Sequence, residues 1–326
     1  MSLDRRALLA GAIGAGLAGP AYAQTRPPPA PDIARRAGQP SPTRWPAPEH
    51  FALWPDKPPA MGTMLPVHKE EVNGPADKPE LWVRGVASPT VSVYRPAKPD
   101  GRAVLVMPGG GYQFLSVENE GVRVARLLTP REVTVFVLEY RLPDEGWTRD
   151  DVALQDAQRA MRLIRARAAT WSIDPARLGV MGFSAGGHLA GALTTALEAR
   201  PYESVDKADT QSARPAFAAL VYPAMSATGE RWADARGRAA QFMRAYDNIA
   251  HLQRASPPLF LLHAMDDPVV PVTQSLRTID AARKAGVPVE AHLLERGGHG
   301  FGASNLPAEN SGAGWLGIFE RWTRGR

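Results

Sequence analysis

Cysteine is missing altogether from the 326 residues. Disulfides, thiolate nucleophiles, iron–sulfur clusters and cysteine-held zinc are therefore excluded. Metal-binding histidine pairs are missing too. No two of the seven histidines stand four apart, and neither an H-E-x-x-H motif nor a clustered carboxylate loop occurs. Past the N-terminus there is no apolar run long enough to span a bilayer, so no internal membrane span is expected. Blocks of one charge sign are also lacking. The formal charge is only +5 and the basic residues are scattered, which gives a nucleic-acid partner little support. What remains is 44% hydrophobic and 22% charged, the balance of a soluble globular chain. Neither a metal nor another cofactor is expected.

The N-terminus reads as an export signal. Arg5 and Arg6 precede a mild, Gly/Ala-rich apolar run to about Gly19, followed by the A-x-A-like site Ala21-Tyr22-Ala23. Paired arginines before a weak hydrophobic region suggest the twin-arginine route, with residues 1–23 removed and the product periplasmic or secreted. Residues 24–49 carry eight prolines, too many for regular helix or sheet. We read 24–80 as an N-terminal arm, its later part wrapped over the surface, and 81–326 as the catalytic domain.

From Leu81 onward strands and helices alternate. Thr90–Tyr94 alternates like a half-exposed strand, whereas Ala103–Met107 is a continuous apolar run, as in a strand covered on both faces. Further strands are expected near 133–138, 177–181, 217–222, 259–263 and 289–294. Helices are expected at 121–128, 151–169, after Ser184, at 273–284 and around Trp315–Trp322. Crossovers of this length imply an α/β, mostly parallel sheet with helices on both faces, and place ligands at the carboxyl ends of its strands. The irregular stretch 224–256 is the expected short cap.

The functional candidates fall after strands. Gly182-Phe183-Ser184-Ala185-Gly186 sits between a strand and a helix, as a nucleophile elbow does. A serine hydroxyl needs a base and an orienting acid. His299, in Gly297-Gly298-His299-Gly300, is the candidate base. His188, in the first turn of the elbow helix, is read as structural, because the helix N-terminus disfavours an imidazolium. Asp266 and Asp267 both follow the 259–263 strand, and either fits as the acid. Pro108-Gly109-Gly110-Gly111-Tyr112 is the candidate oxyanion loop. Gly110 and Gly111 would donate their amides together with Ala185, and Tyr112 is a candidate for lining the acyl pocket. The loop has neither the G-K-[ST] ending nor the G-x-G-x-x-G spacing of a phosphate cradle.

With Pro108–Tyr112, Val137–Pro143, Leu154–Ala160 and Met181–Ala190 in hand, the chain resembles the esterase/lipase branch of the α/β-hydrolases, nearest the bacterial acetyl-xylan-esterase-like and feruloyl/acetyl-esterase-like enzymes. The order Ser184, acid, His299 is that fold's order. The family's D-x-x-V-P pattern matches Asp267-Pro268-Val269-Val270-Pro271, which selects Asp267. The resemblance implies a serine esterase acting through an acyl-enzyme on a small-molecule or oligosaccharide ester, with acetyl esters of plant carbohydrate the expected substrates. A peptidase of the prolyl-oligopeptidase kind shares these motifs but usually carries a large gating domain, for which 326 residues leave no room. A carbohydrate-binding protein on the same scaffold would require a broken triad.

Overall fold

Burial on both faces explains where the central strands lie. The computed structural model describes residues 41–74, 77–230 and 232–326. The expected signal segment, residues 1–23, and the expected arm up to residue 40 lie outside these. In chain order the strands are β1 (His50–Ala52), β2 (Lys69–Asn73), β3 (Glu80–Arg84), β4 (Thr90–Tyr94), β5 (Ala103–Met107), β6 (Leu115–Ser116), β7 (Thr134–Glu139), β8 (Leu178–Phe183), β9 (Ala218–Val221), β10 (Leu259–Ala264) and β11 (Val289–Leu294). The helices are α1 (Arg123–Leu128), α2 (Val152–Ala166), α3 (Ser184–Thr195), α4 (Arg238–Ala245), α5 (Thr273–Ala285) and α6 (Trp315–Thr323).

Eight strands form one sheet in the order β1-β4-β7-β5-β8-β9-β10-β11. From β7 to β11 every neighbour is parallel, while β4 and β1 add an antiparallel edge. Every residue of β5, β7, β8, β9 and β10 is buried. Such strands are stable only between helical layers, where each large aliphatic side chain contributes about 1.5–3 kcal/mol. The helices supply that cover, with α2 packed on α3 and α1 on α6. β2, β3 and β6 form a separate small antiparallel sheet.

The segment 41–80 does more than drape over the surface. His50–Ala52 pairs with Thr90–Ser92, and Lys69–Asn73 pairs with Glu80–Arg84. Trp45, Leu53 and Trp54 are buried, and the domain therefore begins before residue 81. The reason lies in α2. Its outer side carries arginines that need covering partners, and the segment provides one: Arg159 Nε donates to the Leu53 carbonyl at 3.0 Å. Trp54 Nε1 donates to Asp156 at 2.9 Å, beside the fully buried Arg141–Asp156 ion pair at 2.8 Å.

Candidate active site

Five consecutive sheet strands deliver the site. The loops after β5, β8, β9, β10 and β11 leave from the same, carboxyl end, because those strands are neighbours and parallel.

Ser184 opens α3 with φ of +50°, the strained left-handed conformation of an elbow. Its flanking glycines are needed for close approach. A methyl group on Gly182 would stand 2.1 Å from the Gly186 carbonyl oxygen, and one on Gly186 would stand 2.1 Å from the Met107 carbonyl oxygen. Both distances are far inside contact, so the turn closes only with glycine at each position.

Ser184 Oγ lies 3.0 Å from His299 Nε2, and His299 Nδ1 lies 2.7 Å from Asp267 Oδ2. The three expected residues are thus brought together in hydrogen-bond register. Ser184 and Asp267 retain only 9% exposure. The other carboxylate oxygen of Asp267 accepts the Val269 and Val270 amides at 2.8 and 2.9 Å. Burial alone would push the Asp267 carboxyl up. Hydrogen bonds from His263 and His299 outweigh that and hold it at about 2. Asp266 has a different task, accepting the Gly297 and Gly298 amides at 2.9 and 2.8 Å to anchor the loop that carries His299.

The glycine loop presses on the serine, since a methyl on Gly109 would lie 2.9 Å from Ser184 Cβ. The Gly109 amide is already spent, donating to Glu120 Oε2 at 2.6 Å. Gly110 and Gly111 follow it with φ of +132° and +63°, and Ala185 lies in the first turn of α3, where amides have no partner within the helix.

Tyr112 does not line an open pocket. It is 1% exposed, with its ring edge-on to Tyr140 and Phe242, and its hydroxyl lies 2.9 Å from His188 Nδ1. Its backbone turn at φ +59° tucks the side chain inward, where it braces the glycine loop against α3. His188 is the structural histidine the sequence suggests. Its Nε2 lies 2.9 Å from the Tyr246 carbonyl oxygen, and burial lowers its pKa to about 4. With a carbonyl acceptor at Nε2, that nitrogen carries the proton, and Nδ1 accepts from Tyr112.

Four residues at the site were not singled out by sequence reasoning. His263 Nε2 shares Asp267 Oδ2 at 3.2 Å and the Val270 carbonyl at 3.0 Å, while its Nδ1 lies 2.8 Å from Ser275 Oγ. Tyr222, after β9, faces the His299 ring at a centroid distance of 4.8 Å. Glu120 and Asn119 sit on a π-helical turn, Glu118–Val122, before α1. The i, i+4 spacing of His263 and Asp267 was the one available signal. Glu120 and Tyr222 are 102 residues apart and meet only through the fold. Among the described residues no group of three or more His, Asp and Glu side chains could hold a metal ion, and no helix is long and apolar enough to cross a membrane.

Comparison with known proteins places this geometry in context. The family model described as the prolyl oligopeptidase family matches residues 148–313. The acetylxylan esterase of Xylanibacter ruminicola is 33% identical over 223 residues, covering 64% of this chain and 43% of that protein. Endo-1,4-beta-xylanase B of Butyrivibrio fibrisolvens is 29% identical over 221 residues, 66% of this chain and 34% of that protein. The chain thus spans less than half the length of these two curated relatives. Among solved structures, the acetyl ester-xyloside bifunctional hydrolase of Caldicellulosiruptor lactoaceticus superposes with a TM-score of 0.66 at 28% identity, covering 86% of this chain and 97% of that one.

Proposed function

The chain belongs to the prolyl oligopeptidase family of α/β-hydrolases, and from that membership we propose that it is a serine carboxylesterase releasing small acyl groups, acetyl first among them, from plant-derived carbohydrate. The observation that carries this reading is the relay from Ser184 through His299 to Asp267, at 3.0 and 2.7 Å, beside a glycine loop with amides to spare. Ser184 Oγ attacks the ester carbonyl while His299 Nε2 takes its proton. Asp267 holds the imidazole in the tautomer with the proton on Nδ1 and stabilises the imidazolium. The Gly110, Gly111 and Ala185 amides receive the oxyanion. His299 then returns the proton to the leaving alcohol, and water repeats the sequence on the acyl-enzyme. No step needs a metal or cofactor.

The preference for an acyl ester over a peptide bond is supported by the relatives named as acetylxylan esterase and acetyl ester-xyloside hydrolase. We also propose that the enzyme is exported folded, on the support of Arg5-Arg6 and the Ala21–Ala23 site.

The deciding experiment pairs a fluorophosphonate label with substrate profiling. Wild type is expected to label at Ser184, to hydrolyse p-nitrophenyl acetate and to release acetate from acetylated xylan. Ser184→Ala is expected to do none of these. Cleavage of a prolyl p-nitroanilide with no acetate release would replace the esterase reading with a peptidase. Failure of Ser184 to label would favour a binding protein.

A further inference from the structure

Glu120 is a carboxyl group placed where two functional loops meet. It lies on the π-helical turn Glu118–Val122, a geometry that recurs at functional sites, and it is 4% exposed. One oxygen accepts the Gly109 amide at 2.6 Å, fixing the peptide just before the two oxyanion glycines. The other accepts the Tyr222 hydroxyl at 2.7 Å. The same Tyr222 oxygen accepts the Gly302 amide at 2.9 Å, three residues past His299. The tyrosine ring itself lies against the His299 imidazole. Asn119 adds two links from the same turn: its Nδ2 donates to the Gly300 carbonyl at 2.9 Å, and its carbonyl accepts the Ala303 amide at 3.3 Å. A single turn therefore grips the oxyanion loop on one side and the base loop on the other.

We propose that Glu120 is a positioning residue that locks the oxyanion loop and the His299 loop in register, and that it does so as the carboxylate. This rests on the esterase reading of Ser184. Proton counting supports the charged form. With Glu120 ionised, the Tyr222 hydroxyl donates to it while accepting from Gly302, and every group in the chain is satisfied. With Glu120 protonated on the oxygen facing Tyr222, the tyrosine oxygen would accept twice, and its own hydrogen would lose its buried partner. Burial, against the pull of Tyr222 and Gly109, pushes the carboxyl up to about 7, so the lock tightens as pH rises through neutrality. The titratable groups facing it are Glu80 on β3, Tyr140 after β7, Tyr222 after β9 and His299 after β11.

Glu120→Gln tests this in the full chain, with Tyr222→Phe as a second variant that cuts only the arm to the base loop. Three quantities are read between pH 5 and 9: the rate of fluorophosphonate labelling at Ser184, kcat and KM for p-nitrophenyl acetate, and the melting temperature. For wild type, labelling and kcat are expected to rise with pH through about 7 as Glu120 becomes the carboxylate. For Glu120→Gln the acid limb is expected to be shallower than in wild type, because that carboxyl no longer titrates. Its labelling rate and kcat at pH 8 should be at least about tenfold lower, with KM within about threefold of wild type. Tyr222→Phe should also label more slowly, with a lowered melting temperature but still folded at the assay temperature, which keeps the test open should Glu120→Gln fail to fold. A labelled wild type whose pH profile superimposes on those of the folded variants would overturn the positioning role alone. Absence of label on wild-type Ser184 would overturn the esterase reading and this inference with it.

Discussion

At the scale of single residues, the two adjacent aspartates have different partners. Asp267 touches His299, whereas Asp266 touches only the amides of the loop beneath it. Asp267→Asn should therefore lower kcat by about four orders of magnitude, since the amide would favour the wrong imidazole tautomer. Asp266→Asn, which keeps an acceptor oxygen for both amides, should cost less than about tenfold. Steady-state rates on p-nitrophenyl acetate check both, and the reverse order would reassign the acid. His263→Phe should remove one of the hydrogen bonds holding the Asp267 carboxyl down. The positions brought together as the candidate nucleophile, base and oxyanion loop were legible in the sequence because each has glycine around it, and glycine is visible in a string of letters. The choice between the aspartates took a family pattern. Glu120 and His263 stayed hidden because their value depends on distant partners, not on neighbours in the chain.

At the scale of elements, the strands that were easiest to read are those buried on both faces. Ala103–Met107 lies where its apolar run put it, and Leu259–Ala264 extends the expected run by one residue. β1, β2, β3 and β6 were not legible. They are short, partly polar or flanked by proline, and they gain their place by pairing with segments read elsewhere in the chain. The elbow joining β8 to α3 has no slack: Gly186→Ala should leave little soluble protein, because the 2.1 Å contact is with main chain that cannot move aside. Asp156 is the buried anchor between β7 and α2, taking Arg141 and the Trp54 indole at once. Asp156→Ala would strand the Arg141 charge, and denaturant titration is expected to show a loss of about 3–5 kcal/mol. A loss below about 1 kcal/mol would mean that the guanidinium finds water or another partner.

For the whole molecule, pH acts through buried groups whose windows overlap and whose signs differ. In the unfolded chain His188 takes up a proton near 6.5, but in the fold burial holds it neutral down to about 4. Its contribution is complete above 6.5 and is lost as pH falls from there toward 4. Asp267 is depressed, so its contribution is present above the usual carboxylate range and disappears as pH falls through about 2. Glu120 runs the other way. Its raised carboxyl makes the fold bind more protons than the unfolded chain between 4.5 and about 7, so this group lowers stability as pH rises through that span. Between 4.5 and 6.5 His188 and Glu120 act in opposite directions, so the melting temperature should change little there and fall only at lower pH, and replacing His188 with asparagine should leave Glu120 unopposed and make the melting temperature rise as pH falls from 6.5 to 4.5. The proposed export gives a separate whole-chain prediction. Changing Arg5 and Arg6 to lysine should leave folded precursor in the cytoplasm, whereas continued secretion would indicate the unfolded-chain route.

The parallel run from β5 to β11 has a further use. The candidate site lies at one rim of the sheet, and the opposite rim carries turns such as the one at Gly286, whose φ of +74° closes α5 before β11 begins. That rim is the handle by which the molecule can be held. A surface coupling through Lys284, 76% exposed at its side chain, would leave the candidate site facing outward, so immobilised protein should show close to the solution rate of the proposed esterase activity.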